Sequence, residues 1–96
     1  MGANISSLIR RFGVWESRSI NVSYYAITDG AVHAFGSTVN NTISGYSDNM
    51  SPPTVKRNED DNSGISGGGK SIVMNVRKGD YWRVTGANVV FWLPEL

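Results

Sequence analysis

One stretch of the chain, Gly64-x-x-x-x-Gly69-Lys70-Ser71, matches the pattern of a phosphate-binding loop. In nucleotide-binding proteins that loop follows a strand and precedes a helix, so that backbone N–H groups surround the phosphates. Here an acidic polar stretch precedes the loop, and residues 71–76 have the alternating pattern of a strand. Because this context is wrong, we interpret the match as coincidental and expect no nucleotide binding.

Candidate metal ligands are few. His33 is the single histidine, and the chain has no cysteine. The acidic stretch Glu59-Asp60-Asp61-Asn62 lacks the alternating spacing and distal Glu of a calcium loop. We therefore expect no metal site within one chain. Three copies of His33 meeting on the axis of a symmetric oligomer would be the one arrangement able to hold an ion.

Catalytic chemistry has equally little support. Only His33 could serve as a conventional base for a nucleophile, and most carboxylates fall in turns or polar loops. The tripeptide Lys78-Gly79-Asp80 resembles an adhesion motif, but a tight turn needs the same residue types. We predict a non-enzyme without a cofactor.

Composition and charge narrow the class of protein. The chain has 96 residues, enough for one domain, and nine Lys and Arg against eight Asp and Glu give a net charge of +1. This balance does not favour nucleic acid as a partner. No apolar run reaches the roughly 20 residues of a membrane span, so we expect no membrane insertion.

The first sixteen residues differ from the rest. Their apolar side chains recur at helical spacing and predict an amphipathic helix over 1–16. Such a short helix must pack against something. It lies either on its own domain or in a short trimeric stalk made with neighbouring copies. The apolar positions are Ile5, Leu8, Ile9, Phe12 and Trp15.

From residue 17 to residue 96 the pattern predicts an all-β domain, a jelly-roll-like β-sandwich of about seven or eight strands. Asp29-Gly30 favours a hairpin turn. Residues 56–69 read as a long polar loop. The predicted strands are 20–25, 31–35, 39–46, 71–76, 81–85 and 89–93, with the last three forming a meander.

Two aromatic pairs, Tyr81-Trp82 and Phe91-Trp92, lie within predicted strands. Neighbouring strand residues point to opposite faces, so one member of each pair fills the core and the other faces outward. We expect Trp82 and Trp92 to pack in the core or in an interface between subunits. The alternative is an exposed sugar-binding position.

Two segments resemble a known family. The first is Tyr25-Ala26-x-Thr28-Asp29-Gly30-x-Val32, followed by Phe35-Gly36-Ser37. The second is Ser71-Ile72-Val73-x-x-Val76-x-Lys78-Gly79-Asp80-Tyr81-Trp82-x-Val84-Thr85-Gly86, followed by Val90-Phe91-Trp92-Leu93-Pro94. Over residues 20–96 the chain is similar to the C-terminal knob domains of bacteriophage tail fibres, which are trimeric jelly rolls of the tumour necrosis factor-like kind.

The resemblance implies a homotrimer on the virion or tail surface that recognises a host-surface saccharide or protein. With no secretory signal in residues 1–9, we expect synthesis in a bacterial cytoplasm. Since fibres usually carry a long shaft, the chain is either a fragment or an accessory protein. A virion decoration or fibre-assembly protein that binds a larger virion or fibre protein is the alternative. A further set of residues is predicted to be exposed and polar, and we therefore expect them to contact the receptor. They are Tyr46, Asp48, Asn49, Arg57, Asp60, Asp61 and Asn62.

Overall fold

The structure, a computed structural model, describes residues 13–36, 42–60 and 70–96, and it contains eight β-strands. No helix occurs within these ranges. The strands are β1 (Glu16–Arg18), β2 (Tyr24–Tyr25), β3 (Gly30–Gly36), β4 (Ile43–Asp48), β5 (Lys56–Asp60), β6 (Lys70–Val76), β7 (Tyr81–Thr85) and β8 (Val89–Pro94).

The strand pairing is that of one long hairpin folded over on itself. β1 pairs with β8, β2 with β7, β3 with β6 and β4 with β5, all antiparallel. Two further pairings, β3 with β8 and β4 with β7, join these pairs into two sheets. The first sheet has the order β1-β8-β3-β6 and the second sheet β2-β7-β4-β5. This arrangement is a jelly roll, and it confirms the predicted all-β fold class.

Two predicted connections are wrong, because consecutive strands change sheet. Asp29-Gly30 does not close a hairpin, since β2 and β3 belong to different sheets. The expected meander of β6, β7 and β8 fails for the same reason. Hairpin turns and crossovers need the same residue types, so composition does not separate them. Asp29 instead accepts a hydrogen bond from the Lys78 amide at 2.7 Å, tying two crossovers together at one end of the sandwich.

Some predicted boundaries also change. Residues 13–16, the described part of the predicted helix, are not helical, because the Gly13 amide donates to the Pro94 carbonyl at 2.7 Å and continues the β1–β8 pairing. The rest of that prediction, residues 1–12, lies outside the described residues. Residues 56–60 of the predicted loop form β5, because they pair with β4, and 61–69 lie outside the described residues.

A stack of two tryptophans joins the sheets. Trp82 of the second sheet lies against Trp92 of the first, with ring centroids 5.6 Å apart and planes 18° from parallel. The Tyr24 ring also contacts Trp82, its partner across β2 and β7, with centroids 4.8 Å apart. Such ring pairs contribute about 0.5–1.5 kcal/mol beyond the burial of their area. Both tryptophans are buried within one chain, so of the two predicted places, the core and a subunit interface, they occupy the core.

Two glycines in turns have backbone conformations that L-residues rarely adopt. Gly79 has φ +91° and Gly86 has φ +79°. A Cβ on Gly79 would meet open space, whereas a Cβ on Gly86 would overlap the carbonyl oxygen of Thr42. The β7–β8 turn therefore requires glycine at position 86 for two reasons, the positive φ and the lack of space for a Cβ.

We expect Gly79→Ala to lower the free energy of unfolding by about 1–2 kcal/mol, the cost of the left-handed conformation alone. Gly86→Ala should cost clearly more, because the backbone of residue 42 must also move. Urea denaturation of both variants beside the wild type measures the difference. Equal losses in the two variants would contradict the described packing of this turn.

Candidate functional site

Four rings meet on the outer face of the first sheet. Phe91 points outward because its neighbour Trp92 points inward. Trp15 lies 6.0 Å from Phe91 and 5.7 Å from His33, and His33 lies 4.2 Å from Phe35, all between ring centroids. We call Trp15, His33, Phe35 and Phe91 the aromatic cluster. It lines a shallow depression of about 380 Å³.

The aromatic cluster continues into aliphatic neighbours. His33 lies opposite Phe91 on one side and Val73 on the other, while Phe35 lies opposite Val89. Val73 is 53% exposed and Val89 is 41% exposed. None of the paired positions that share this face within the described residues is Asp, Glu, Lys or Arg. Within the described strands the face thus has no Asp, Glu, Lys or Arg, and it is apolar around the aromatic cluster, although Ser17, Ser71 and Asn75 also lie on it.

The size of this face indicates what could cover it. Four strands spaced about 4.8 Å apart give a width of about 14 Å, and a few residues along each strand give a similar length. That area, roughly 200–300 Å², is well below the ~800 Å² per partner of a standard protein interface. The face could form the apolar centre of an interface whose remaining contacts come from elsewhere.

The outer face of the second sheet has a different character. Tyr25 contacts Tyr81 at 5.1 Å, and the Arg83 guanidinium lies 4.9 Å from the ring centre of Tyr46. Lys56 and Glu59 form an ion pair of 2.6 Å at its edge. The hydrogen bond from Lys56 and the charge of Glu59 raise the pKa of Lys56 above 10.5. The outer face of the second sheet is therefore polar, in contrast to the aromatic cluster on the first sheet.

The predicted receptor contacts that are described come together along β4 and β5. Tyr46 is partly exposed on β4, and Asn49 and Arg57 are exposed. Asp60 accepts a hydrogen bond from the Ser71 amide at 3.0 Å, so it covers the edge of β6. Asp61 and Asn62 lie outside the described residues.

Asp48 differs from the expectation that it is exposed. It is buried, and its carboxylate accepts hydrogen bonds from the amides of Met50, Thr54 and Val55 at 2.7–2.9 Å and from the Thr54 hydroxyl at 3.3 Å. Burial raises the pKa of Asp48, but these hydrogen bonds outweigh it and hold the pKa below 3.8. Asp48 therefore organises the β4–β5 loop.

The predicted subunit contacts are only partly described. Trp15 is half-exposed in the aromatic cluster. Ile5, Leu8, Ile9 and Phe12 lie outside the described residues. No pattern in the sequence associates Trp15 with His33, Phe35 and Phe91. Strand alternation could have shown that Phe91 faces outward, but the pairing of β3 with β8 joins residues nearly sixty positions apart and left no local signal.

Metal binding, phosphate binding and membrane insertion were the other properties considered from the sequence, and nothing among the described residues supports them. No group of three His, Cys, Asp or Glu side chains there could hold a metal ion. Lys70 is buried as the first residue of β6, so a strand follows the glycine-rich stretch where a phosphate-binding loop needs a helix. Within the part of the chain that the structure describes, no helix is long and apolar enough to cross a bilayer.

Asp48→Asn should lower the thermal midpoint at pH 7, because an amide cannot accept all the hydrogen bonds that the carboxylate accepts. The stabilisation by the ionised form is complete above the unfolded pKa, near 3.8, and is lost as the pH falls through the lower folded pKa. The gap between wild type and variant should therefore shrink in acid, as scanning calorimetry from pH 7 to pH 2 would measure.

Asn49→Ala is the matched control, since Asn49 is the exposed neighbour of Asp48. It should change stability by no more than about 0.5 kcal/mol at any pH. A gap between Asp48→Asn and wild type that stays constant down to pH 2 would contradict the role given to the charge.

Comparison of the chain with family models, with curated proteins and with solved structures gives no match.

Proposed function

We propose that the protein is a non-enzymatic, homotrimeric receptor-binding protein of the bacteriophage tail-fibre-tip kind, located on the virion or tail surface. Neighbouring copies cover the aromatic cluster, and the polar side of the sandwich meets a host-surface saccharide or protein. The observation that carries the proposal is an uncharged aromatic face on one sheet opposite a polar face on the other.

The apolar face supports self-association. Its four rings lie together on one face, and exposed apolar patches of about this size are often binding sites. Phe35 is 39% exposed and Trp15 is 50% exposed, so a covering copy would remove substantial aromatic area from water. Burial of a Phe side chain is worth about 1.5–3 kcal/mol. The apolar residues Ile5, Leu8, Ile9 and Phe12 would supply further area in a trimeric stalk.

The polar face supports recognition. Jelly rolls occur in lectin and viral capsid domains, although the fold alone does not set a function. Tyr25, Tyr81 and Tyr46 offer partly exposed rings beside Arg83, which is the mixture of stacking and hydrogen-bonding groups that saccharides or polar protein surfaces need. The number of subunits comes from the resemblance to tail-fibre knobs.

Sedimentation equilibrium tests the self-association. The wild type at micromolar concentration should have three times the 10.5 kDa mass of one chain. Phe35→Ser should raise the dissociation constant tenfold or more, because each subunit loses the burial of one ring. The matched control is Tyr25→Ser, which removes a 55% exposed ring from the second sheet and should leave the mass unchanged.

A wild type that stays monomeric at tens of micromolar would overturn the trimer. So would a Tyr25→Ser variant that dissociates as readily as Phe35→Ser.

Attachment is tested separately, by binding of the fluorescently labelled trimer to bacterial cells and to a glycan array. The proposal expects saturable binding to one host surface or glycan class. Retention by a virion or fibre protein, with binding to no cell or glycan, would contradict the receptor function and favour the decoration alternative.

A further inference from the structure

A polar cleft lies where the two sheets meet beside β5 and β6. It is lined by Ser47, Arg57, Asn75, Arg77 and Asp80, and its volume is about 330 Å³. This volume is at the lower end of the range of about 300–1,000 Å³ found for small-molecule sites. Both sheets contribute, because Ser47 and Arg57 come from β4 and β5, whereas Asn75 comes from β6. The cleft can hold a small polar ligand.

Two guanidinium groups line this cleft, and each is fixed by a single hydrogen bond. Nε of Arg57 donates to the Ser47 carbonyl at 2.8 Å. Nε of Arg77 faces Oδ2 of Asp80 at 3.3 Å. A guanidinium has five N–H donors, and neither group makes another hydrogen bond to the described residues. The Arg77 side chain is 79% exposed, and the terminal NH₂ groups of both arginines are available to a ligand.

The charge of the cleft favours an anion. Arg57 and Arg77 bring two positive charges to one cavity, and Asp80 is the single carboxylate in its lining. Asp80 pairs with Arg77 at 3.3 Å, so the charge of Arg57 is left without a carboxylate in the lining, and a bound anion would balance it. Because a guanidinium is planar and presents paired donors, it suits a carboxylate bound through both oxygens.

The other lining groups narrow the class of anion. Asp80 is only 7% exposed, and an ionised carboxylate accepts hydrogen bonds but donates none. A fully ionised phosphate or sulfate offers it no donor, whereas a sugar hydroxyl does. Asn75 is exposed at the same cleft and can both donate and accept. A ligand with a carboxylate and several hydroxyl groups satisfies both sides of the cleft.

We propose that this cleft binds a carboxylated saccharide unit of the uronic or sialic acid kind. Its carboxylate lies between Arg57 and Arg77, and its hydroxyl groups donate to Asp80. The idea that this saccharide is the host receptor rests on the proposed function. The binding site itself is complete within one chain.

Titration of the full chain with sodium glucuronate, followed by amide NMR shifts, tests the site. Glucose is the matched neutral sugar and inorganic sulfate, which has no donor, is the matched anion. Glucuronate should bind at least tenfold more tightly than either and should shift the amides around residues 57, 75 and 77–80. Equal affinity for sulfate would overturn a saccharide site, and equal affinity for glucose, or no binding, would overturn the anion site.

Arg57→Gln and Arg77→Gln should each weaken glucuronate binding tenfold or more. Arg57→Lys keeps the charge but loses the paired donors, so it should restore only part of the affinity. Arg18→Gln is the control, because β1 lies at the opposite edge of the first sheet from β6. Unchanged affinity in both glutamine variants would overturn the assignment. If a variant fails to fold, the affinities of the wild type for glucuronate, glucose and sulfate still test the site.

Binding to bacterial cells separates this inference from the proposed function. Cell binding that survives both glutamine variants, without glucuronate binding, would refute the site and leave the receptor function standing. Glucuronate binding without any cell or glycan-array binding would refute the receptor function and leave the site standing.

Discussion

The stack of Trp82 on Trp92 is the constraint on which the rest of the structure depends. It joins the two sheets, with centroids 5.6 Å apart, and it fixes which face of β7 and β8 is inward. Since adjacent strand residues alternate, burying these two rings forces Tyr81 and Phe91 outward. One pair of contacts thereby creates an aromatic position on each outer face. A one-residue slip in either strand would reverse every side chain along it.

Two glycines leave room for the core side chains because a glycine has no Cβ. A Cβ on Gly30 would come within 2.5 Å of the Trp92 ring, and a Cβ on Gly45 within 2.7 Å of the Met74 sulfur. The long-hairpin pairing then sets the neighbours of each outward ring. Phe91 lies between Ser17 and His33 because β8 lies between β1 and β3, and the Trp15 ring contacts both Phe91 and His33. The apolar face is therefore a result of topology as much as of composition.

The sequence predicts the features that follow from alternation along one strand. It does not predict the features that follow from the pairing of strands far apart in the chain. A period of two predicted the strand at 81–85 and one inward member in each aromatic pair, and the structure shows that the inward members are Trp82 and Trp92. The role of Asp29-Gly30 did not follow, because Gly30 is needed for contact with Trp92 and not for a hairpin. Asp48 was expected at the surface, since nothing local shows that the amides of its own loop surround it. Arg57 was singled out, but its convergence with Arg77 required both sheets.

Acrylamide quenching of tryptophan fluorescence over a range of protein concentrations tests whether a second copy covers the aromatic cluster. The chain has three tryptophans. Trp82 and Trp92 are buried within one chain, whereas Trp15 is 50% exposed. We expect one quenchable tryptophan in dilute protein and its protection from acrylamide as the protein concentration rises. A quenchable Trp15 at every concentration, or quenching of all three, would contradict it.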